Sequence, residues 1–218
     1  MSPPRVIFFD AAGTLIHLPR GVGYHYCEVA HRHGCELPED ALAPAFRAVW
    51  KAMPTRPATH APRPDDDRRW WRTLVEAVLD RLAVGPAALD REAYFAELYA
   101  EFTRPGVWEL FPEVESVLTT LAERCELGII SNFDGRLRTI LDGLGIGARF
   151  HHLLISSEVG ADKPDPFIFE QALARAGCPA SEAWHIGDDP RCDWAGAKAA
   201  GLRAFPLARP AHDLRILL

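Results

Sequence analysis

The first apolar run of the chain, Arg5-Val6-Ile7-Phe8-Phe9, is continuous rather than alternating and ends on Asp10, after which Ala11-Ala12-Gly13-Thr14 turns the chain. An uninterrupted β-rich run marks a strand buried on both faces, so Asp10 is expected at its carboxyl tip. From about Gly21 to Thr103 the apolar spacing becomes helical, over Tyr24 to His33, Glu39 to Met53, Arg68 to Leu82 and Arg91 to Phe102, with no strand pattern among them. Pro54 to Pro64 is proline-rich and predicts a loop between these helices. The Asp65-Asp66-Asp67 run behind it suits a helix start, where negative charge complements the dipole.

Beyond Pro105-Gly106 helix and strand alternate: helix at Val114 to Arg124, strand at Glu126 to Ile130, helix at Leu137 to Leu144 and strand at His152 to Ser156. The rhythm continues with helix at Phe167 to Ala176, strand at Ala183 to Ile186, helix at Ala195 to Ala200 and strand at Arg203 to Phe205. Such alternation predicts a parallel, doubly wound α/β sheet with helices on both faces. The chain is thereby divided into a Rossmann-like core, residues 1–18 and 105–218, and an inserted α-helical domain, residues 19–104, expected to lie over the sheet as a cap.

A length of 218 residues accommodates a core with such an insertion. The net charge of -6 leaves no electrostatic footprint for nucleic acid. Met1 to Phe9 is too short for the apolar core of a signal peptide, and no uncharged run reaches bilayer-spanning length, so a cytoplasmic protein without a membrane partner is expected. The five cysteines are scattered without a C-x-x-C pair and read as reduced thiols. His31, His33 and Cys35 are read as a solvated helix end, because a helix splays such neighbours apart. Trp50, Trp70 and Trp71 are read as core of the inserted helices. Basic residues are nearly all arginine, with lysine only at Lys51, Lys163 and Lys198, so each lysine is informative.

Ligands of open parallel sheets bind beyond the carboxyl ends of the strands, and the residues collected there form a coherent set. The strands deliver Asp10, then Ser131-Asn132, then Lys163-Pro164 beyond the His152 strand, then Gly187-Asp188-Asp189, with Asp193 one turn later. Carboxylates facing one lysine and one small hydroxyl are what Mg2+-assisted displacement at phosphorus needs. His185, before Gly187, is expected to be a packed or hydrogen-bonded histidine, and Asp134 a turn former.

The segments FFDAAGTL, SNFD, KPDP and GDDPRCD, in that order, resemble the four motifs of the haloacid dehalogenase superfamily. The resemblance spans essentially the whole chain, because members with a helical cap between the first two motifs share this organisation. It implies that Asp10 is a nucleophile forming a covalent aspartyl intermediate, and that Asp10, Asp188 and the Ala12 carbonyl hold Mg2+. It also implies that Ser131 and Lys163 bind the transferring group of a small phosphorylated metabolite, with Asn132 and Thr14 near the substrate. Asp193 or Asp189 would orient water at the metal.

The position two after Asp10 departs from the pattern, since phosphatases of the superfamily carry a second aspartate there and this chain has Ala12. Losing a general acid typically costs about 10²–10⁴-fold in rate, so Ala12 bears on the leaving group. Three other readings follow. Phosphonoacetaldehyde hydrolases carry alanine there and form a Schiff base with a cap lysine, a part that Lys51 would have to play. A weakened member would bind a phosphorylated ligand or a protein without turnover. A 2-haloacid dehalogenase also lacks the second aspartate, but Asp188 argues for a metal and for phosphorus. Near the end of its helix, Lys51 is expected to be solvated, and the sequence assigns no oligomeric state.

Overall fold

The computed structural model describes residues 3–218, so the first two positions of the predicted core lie outside the described residues. In chain order the elements are β1 (Val6–Phe9), β2 (Ile16–His17), α1 (Gly21–Arg32), α2 (Glu39–Ala52), α3 (Arg68–Arg81), α4 (Arg91–Glu101), β3 (Glu109–Leu110), α5 (Val114–Ala122) and β4 (Glu126–Ser131). They are followed by α6 (Arg136–Gly143), β5 (His152–Ile155), α7 (Ser156–Val159), α8 (Pro166–Ala176), β6 (Ala183–Gly187), α9 (Gly196–Ala199) and β7 (Arg203–Pro206).

The four side chains of β1 are completely or almost completely buried, as a continuous apolar run requires of a central strand. The sheet order is β5-β4-β1-β6-β7, and every pairing in it is parallel. Alternation along β1 sends Ile7 and Phe9 into a cluster with Val117 and Leu118 of α5 and Leu137 and Ile140 of α6. It sends Val6 and Phe8 to the opposite face, against Ile168, Phe169 and Ala172 of α8. Helices therefore cover both faces, and each buried aliphatic or aromatic side chain contributes about 1.5–3 kcal/mol. Phe9 pairs with Ile129 on one side and Ile186 on the other, so the residues just past β1, β4 and β6 emerge at one edge. The chain runs outward from β1 to β5 and then returns to β6, which makes the end of β1 the topological switch point.

Two compact units result. One contains the sheet, with residues up to His17, Pro57–Asp66 and Trp108–Leu218; the other is helical, with Leu18–Arg56 and Asp67–Val107. The helical unit packs α1 to α4 around Tyr26, Val29, Leu42, Leu79, Tyr94 and Leu98. The Tyr94 hydroxyl donates to the Tyr26 carbonyl at 3.1 Å, which satisfies its one polar atom in this core. No helix of the described residues is long and apolar enough to cross a membrane.

Several features differ from the pattern-based expectation. The proline-rich segment assigned to residues 19–104 groups instead with the sheet unit over Pro57–Asp66, because its backbone and polar side chains bond there. The acidic run does not cap α3: Asp67 makes no cap bond and pairs with Arg56 at 3.1 Å, while the Asp66 carboxylate accepts from the Gly135 amide. Cys35 is buried in the helical core rather than solvated, whereas His31 is exposed and meets Glu36. Trp50, Trp70 and Trp71 cluster on one another, but Trp50 remains 45% exposed. The antiparallel pair β2 and β3 is too short to show a period, and Pro190–Ala195 forms a π-type turn ahead of α9.

The C-terminal segment is tied back by Glu113. Its carboxylate accepts from Arg209 at 2.5 Å and from the Leu214 amide at 3.3 Å, and although burial opposes the charge, Arg209 brings its pKa below the ordinary range. Glu113→Gln is expected to cost about 2 kcal/mol at pH 7 in urea unfolding. A depressed carboxylate stabilises above its unfolded-state pKa, so the difference from wild type should shrink as pH falls below 4.5.

Candidate active site

Past β1 the ladder continues by one bond, from the Asp10 amide to the Ile186 carbonyl at 2.8 Å, which anchors the base of the carboxylate. The amides of Thr14, Leu15 and Ile16 then converge on the Ala11 carbonyl at 3.2, 2.8 and 3.0 Å. Among the described residues no hydrogen bond engages the Ala12 carbonyl. Gly13 has φ +88°, and a Cβ there would stand 2.6 Å from Asp188 Oδ2, so only glycine lets the turn lie against that carboxylate.

Ser131, the last residue of β4, donates from Oγ to Asp10 Oδ1 at 3.2 Å. Lys163, which follows α7, is buried and places Nζ 2.7 Å from the same oxygen and 2.6 Å from Asp193 Oδ1. Asp193 also meets His185 Nε2 at 2.8 Å and accepts the Asp189 amide on Oδ2 at 3.0 Å. Beside an ionised carboxylate Nε2 carries the proton, and the other ring nitrogen, Nδ1, is buried with no partner. Burial accordingly holds His185 below the usual imidazole range. Oxygens of Asp10, Asp188 and Asp193 lie within 4.8 Å of one another.

Two like charges at that spacing repel by roughly 3–4 kcal/mol at an effective dielectric constant near 20. Burial pushes the Asp10 carboxyl up against the opposing pull of Lys163, and the Asp193 charge raises it further. Asp193 lies well below the carboxylate range, because Lys163 and His185 outweigh its own desolvation. Burial disfavours the Lys163 ammonium, yet Asp10 and Asp193 overcome this and raise its pKa. Asp188, the exposed member, is raised by partial desolvation and then by Asp193.

The structure thus brings together Asp10, Ser131, Lys163, Asp188 and Asp193 from four separate segments. The other candidates serve as fasteners. Asn132 donates from Nδ2 to the Lys163 carbonyl at 2.9 Å and accepts the Lys163 amide at 2.6 Å, tying two loops together. Asp189 accepts the Arg191 and Cys192 amides and so starts the π-type turn. Thr14 is fully buried, with its hydroxyl 3.5 Å from Asp188 Oδ1. Asp134 accepts the Arg136 amide at 3.1 Å in the turn ahead of α6. Lys51 is exposed in the last turn of α2, in the helical unit. Arg209, which no local pattern singles out, donates to the Thr14 carbonyl at 2.8 Å and lies 3.5 Å over the Phe111 ring, bracing the turn behind Asp10.

Residues 4–201 match the family described as hydrolase: haloacid dehalogenase-like hydrolase. The chain belongs to that family. Mouse haloacid dehalogenase-like hydrolase domain-containing protein 3 is 36% identical over 206 residues, covering 94% of this chain and 82% of the relative. Phosphoserine phosphatase from Thermus thermophilus is 40% identical over 119 residues, 54% of this chain and 47% of that protein. Among solved structures, YfnB from Bacillus subtilis bound to magnesium superposes with TM-score 0.75 at 17% identity, covering 93% of this chain and 88% of that one. The defluorinating L-2-haloacid dehalogenase Rha0230 gives TM-score 0.78 at 22% identity, covering 95% and 82%. These structural likenesses establish the shared haloacid dehalogenase-like fold.

In this member of the family Lys163 is the only cation placed to satisfy both Asp10 and Asp193 among the described hydrogen bonds. Lys163→Met leaves two buried carboxylates facing each other and is expected to lower stability by about 3–5 kcal/mol at pH 7. Protonation of one carboxylate relieves that repulsion, so the deficit should narrow at pH 4 in urea unfolding curves.

Proposed function

We propose that the protein is a Mg2+-dependent phosphohydrolase for a small phosphorylated metabolite, with Asp10 as the nucleophile. One observation carries this reading: Ser131 Oγ and Lys163 Nζ converge on the same Asp10 oxygen, at 3.2 and 2.7 Å, beside two further carboxylates. Both donors stand within reach of the oxygens of a phosphoryl group attached to Asp10. An Asp10 oxygen bonds to phosphorus as the bond to the leaving oxygen breaks, and water then cleaves the aspartyl-phosphate at phosphorus, releasing inorganic phosphate and restoring the carboxylate. Asp193, held by His185 and the Asp189 amide, keeps Lys163 aimed at Asp10 throughout.

The donor set fits a hard divalent cation. Three carboxylates against one ammonium leave negative charge uncompensated, and the Ala12 carbonyl is a free oxygen in the same turn. Asp10, Asp188 and that carbonyl would hold the ion. When bound, Mg2+ lets an anionic phosphate approach a carboxylate and offsets charge growing on its oxygens. The magnesium in YfnB and the phosphate-ester chemistry in the name of the Thermus thermophilus relative support the same reading. A helical unit inserted between Asp10 and Ser131 would serve as the cap that selects the substrate.

Ala12 offers no proton to a leaving group, so the favoured substrates should be those whose leaving oxygen is stable as an anion. Schiff-base chemistry at Lys51 has no structural support, because such a lysine must be desolvated and Lys51 is exposed.

Phosphate release should require Mg2+ and vanish in Asp10→Asn across p-nitrophenyl phosphate, acyl phosphates and alkyl phosphates. Aryl and acyl phosphates should exceed alkyl phosphates by about 10²-fold or more in kcat/KM. Normal turnover by Asp10→Asn sinks the proposal, and Mg2+-dependent ligand binding without turnover by the wild type would point to a binding role. Ala12→Asp restores an acid beside the nucleophile and is expected to raise alkyl phosphate turnover about tenfold or more while changing aryl phosphate turnover little.

A further inference from the structure

Four non-glycine residues among those described have positive φ; two of them, His60 at 51° and Asp66 at 49°, lie within Pro57–Asp66, and a third, Asp67 at 60°, follows it directly. Left-handed backbone costs about 1–2 kcal/mol per residue, so contacts rather than local preference hold this segment. Those contacts fall on the two loops that carry Ser131 and Lys163.

One set grips the chain leading into Lys163. The amides of Thr59 and His60 both donate to the Gly160 carbonyl, at 2.8 and 3.1 Å, and the Arg63 amide donates to the Ser157 carbonyl at 2.8 Å. Both terminal nitrogens of Arg63 reach Asp162 Oδ1 at 3.0 Å, one residue before Lys163. His60 stacks on Phe167 with ring centroids 4.1 Å apart. Gly160 has φ +77°, and a Cβ there would stand 2.0 Å from the Ala61 carbonyl oxygen, so the two strands of chain touch backbone to backbone. The other set grips the turn after β4. Both oxygens of Asp66 accept the Gly135 amide, at 3.0 and 2.9 Å, at the N-terminus of α6, and Asp66 also accepts the Ser157 hydroxyl. Charge-assisted bonds of this kind are roughly twice as strong as neutral ones.

We propose that Pro57–Asp66 is an intramolecular strap and that Arg63 and Asp66 are positioning residues of the active site. Asp66 fixes the turn that follows Ser131 and carries Asn132, and Arg63 fixes Asp162 and thereby Lys163. The loops are already joined by the Asn132 amide and by the Ser157 amide bonding the Phe133 carbonyl at 3.2 Å, and the strap closes over that junction. Its kinetic consequence rests on the phosphohydrolase reading; its structural consequence does not. A displacement near 1 Å of a catalytic donor costs about 10²-fold in rate, which sets the scale of the effect.

The test compares full-length wild type with Asp66→Asn, Arg63→Met, Arg63→Lys and Arg63→Met/Asp162→Asn. Asparagine tolerates the left-handed backbone, so Asp66→Asn isolates the charge. Kinetics on p-nitrophenyl phosphate with Mg2+ are read beside amide hydrogen exchange by mass spectrometry. The expected result is a kcat about 10–100-fold lower in Asp66→Asn and Arg63→Met with a much smaller change in KM, and substantial recovery in Arg63→Lys. The double variant should be no worse than Arg63→Met, since both changes remove one interaction. Exchange should rise locally, at 132–137 and 157–165. Unchanged kcat with unchanged local exchange overturns the strap, and so does exchange rising equally across the sheet, which would make these residues general braces. If wild type turns over no phosphate ester, a local rise in exchange keeps the strap while the phosphohydrolase reading fails. If Asp66→Asn does not fold, loss in Arg63→Met with recovery in Arg63→Lys supports the strap, and equal behaviour of those two overturns it.

Discussion

The buried ammonium of Lys163, shared by Asp10 and Asp193 at 2.7 and 2.6 Å, is the interaction on which the site depends. Without it the two carboxylates would repel across a few ångströms in a desolvated setting, and one would have to take up a proton. With it Asp193 stays ionised and held by His185, and Asp10 stays within reach of Ser131. The cluster has a third carboxylate, Asp188, on its exposed side, and in the proposed chemistry a divalent cation would meet its charge.

Holding one ammonium between two carboxylates is a problem of backbone placement, and the fold meets it in layers. β1 is locked by apolar packing on both faces and by pairing on both edges, so Asp10 projects from the most constrained strand of the sheet. Gly13 lets the next turn lie against Asp188, and Arg209 and Glu113 brace that turn from behind. Lys163 comes from a loop rather than from a strand, so its position needs its own supports, the Asn132 amide and the contacts of Arg63 with Asp162.

The parts legible in the sequence are those written in local pattern. The apolar run of β1, the alternation after Pro105 and the helical spacing before it lead to the parallel sheet and the inserted helices. The order of strand ends also anticipates that Asp10, Ser131, Lys163 and Asp188 share one edge. What escapes local reading has tertiary causes. Asp66 sits in an acidic run that suits a helix start, but its partners, Gly135 and Ser157, are far along the chain. Asn132 carries a side chain suited to a ligand, and in the folded chain it bonds the backbone of Lys163, far along the sequence. Arg209 lies in a segment with no periodicity, and only the folded chain brings it to Thr14. The two-residue strands β2 and β3 carry too few positions for any period to show.

Phosphoryl transfer to Asp10 can be read by fluorine NMR of the protein with beryllofluoride, which mimics an acyl phosphate on an aspartate. With Asp10 as the proposed nucleophile, bound fluoride resonances should require Mg2+ and be absent in Asp10→Asn. A wild type that forms no adduct with Mg2+ present, or an Asp10→Asn variant that forms the same one, would contradict that role.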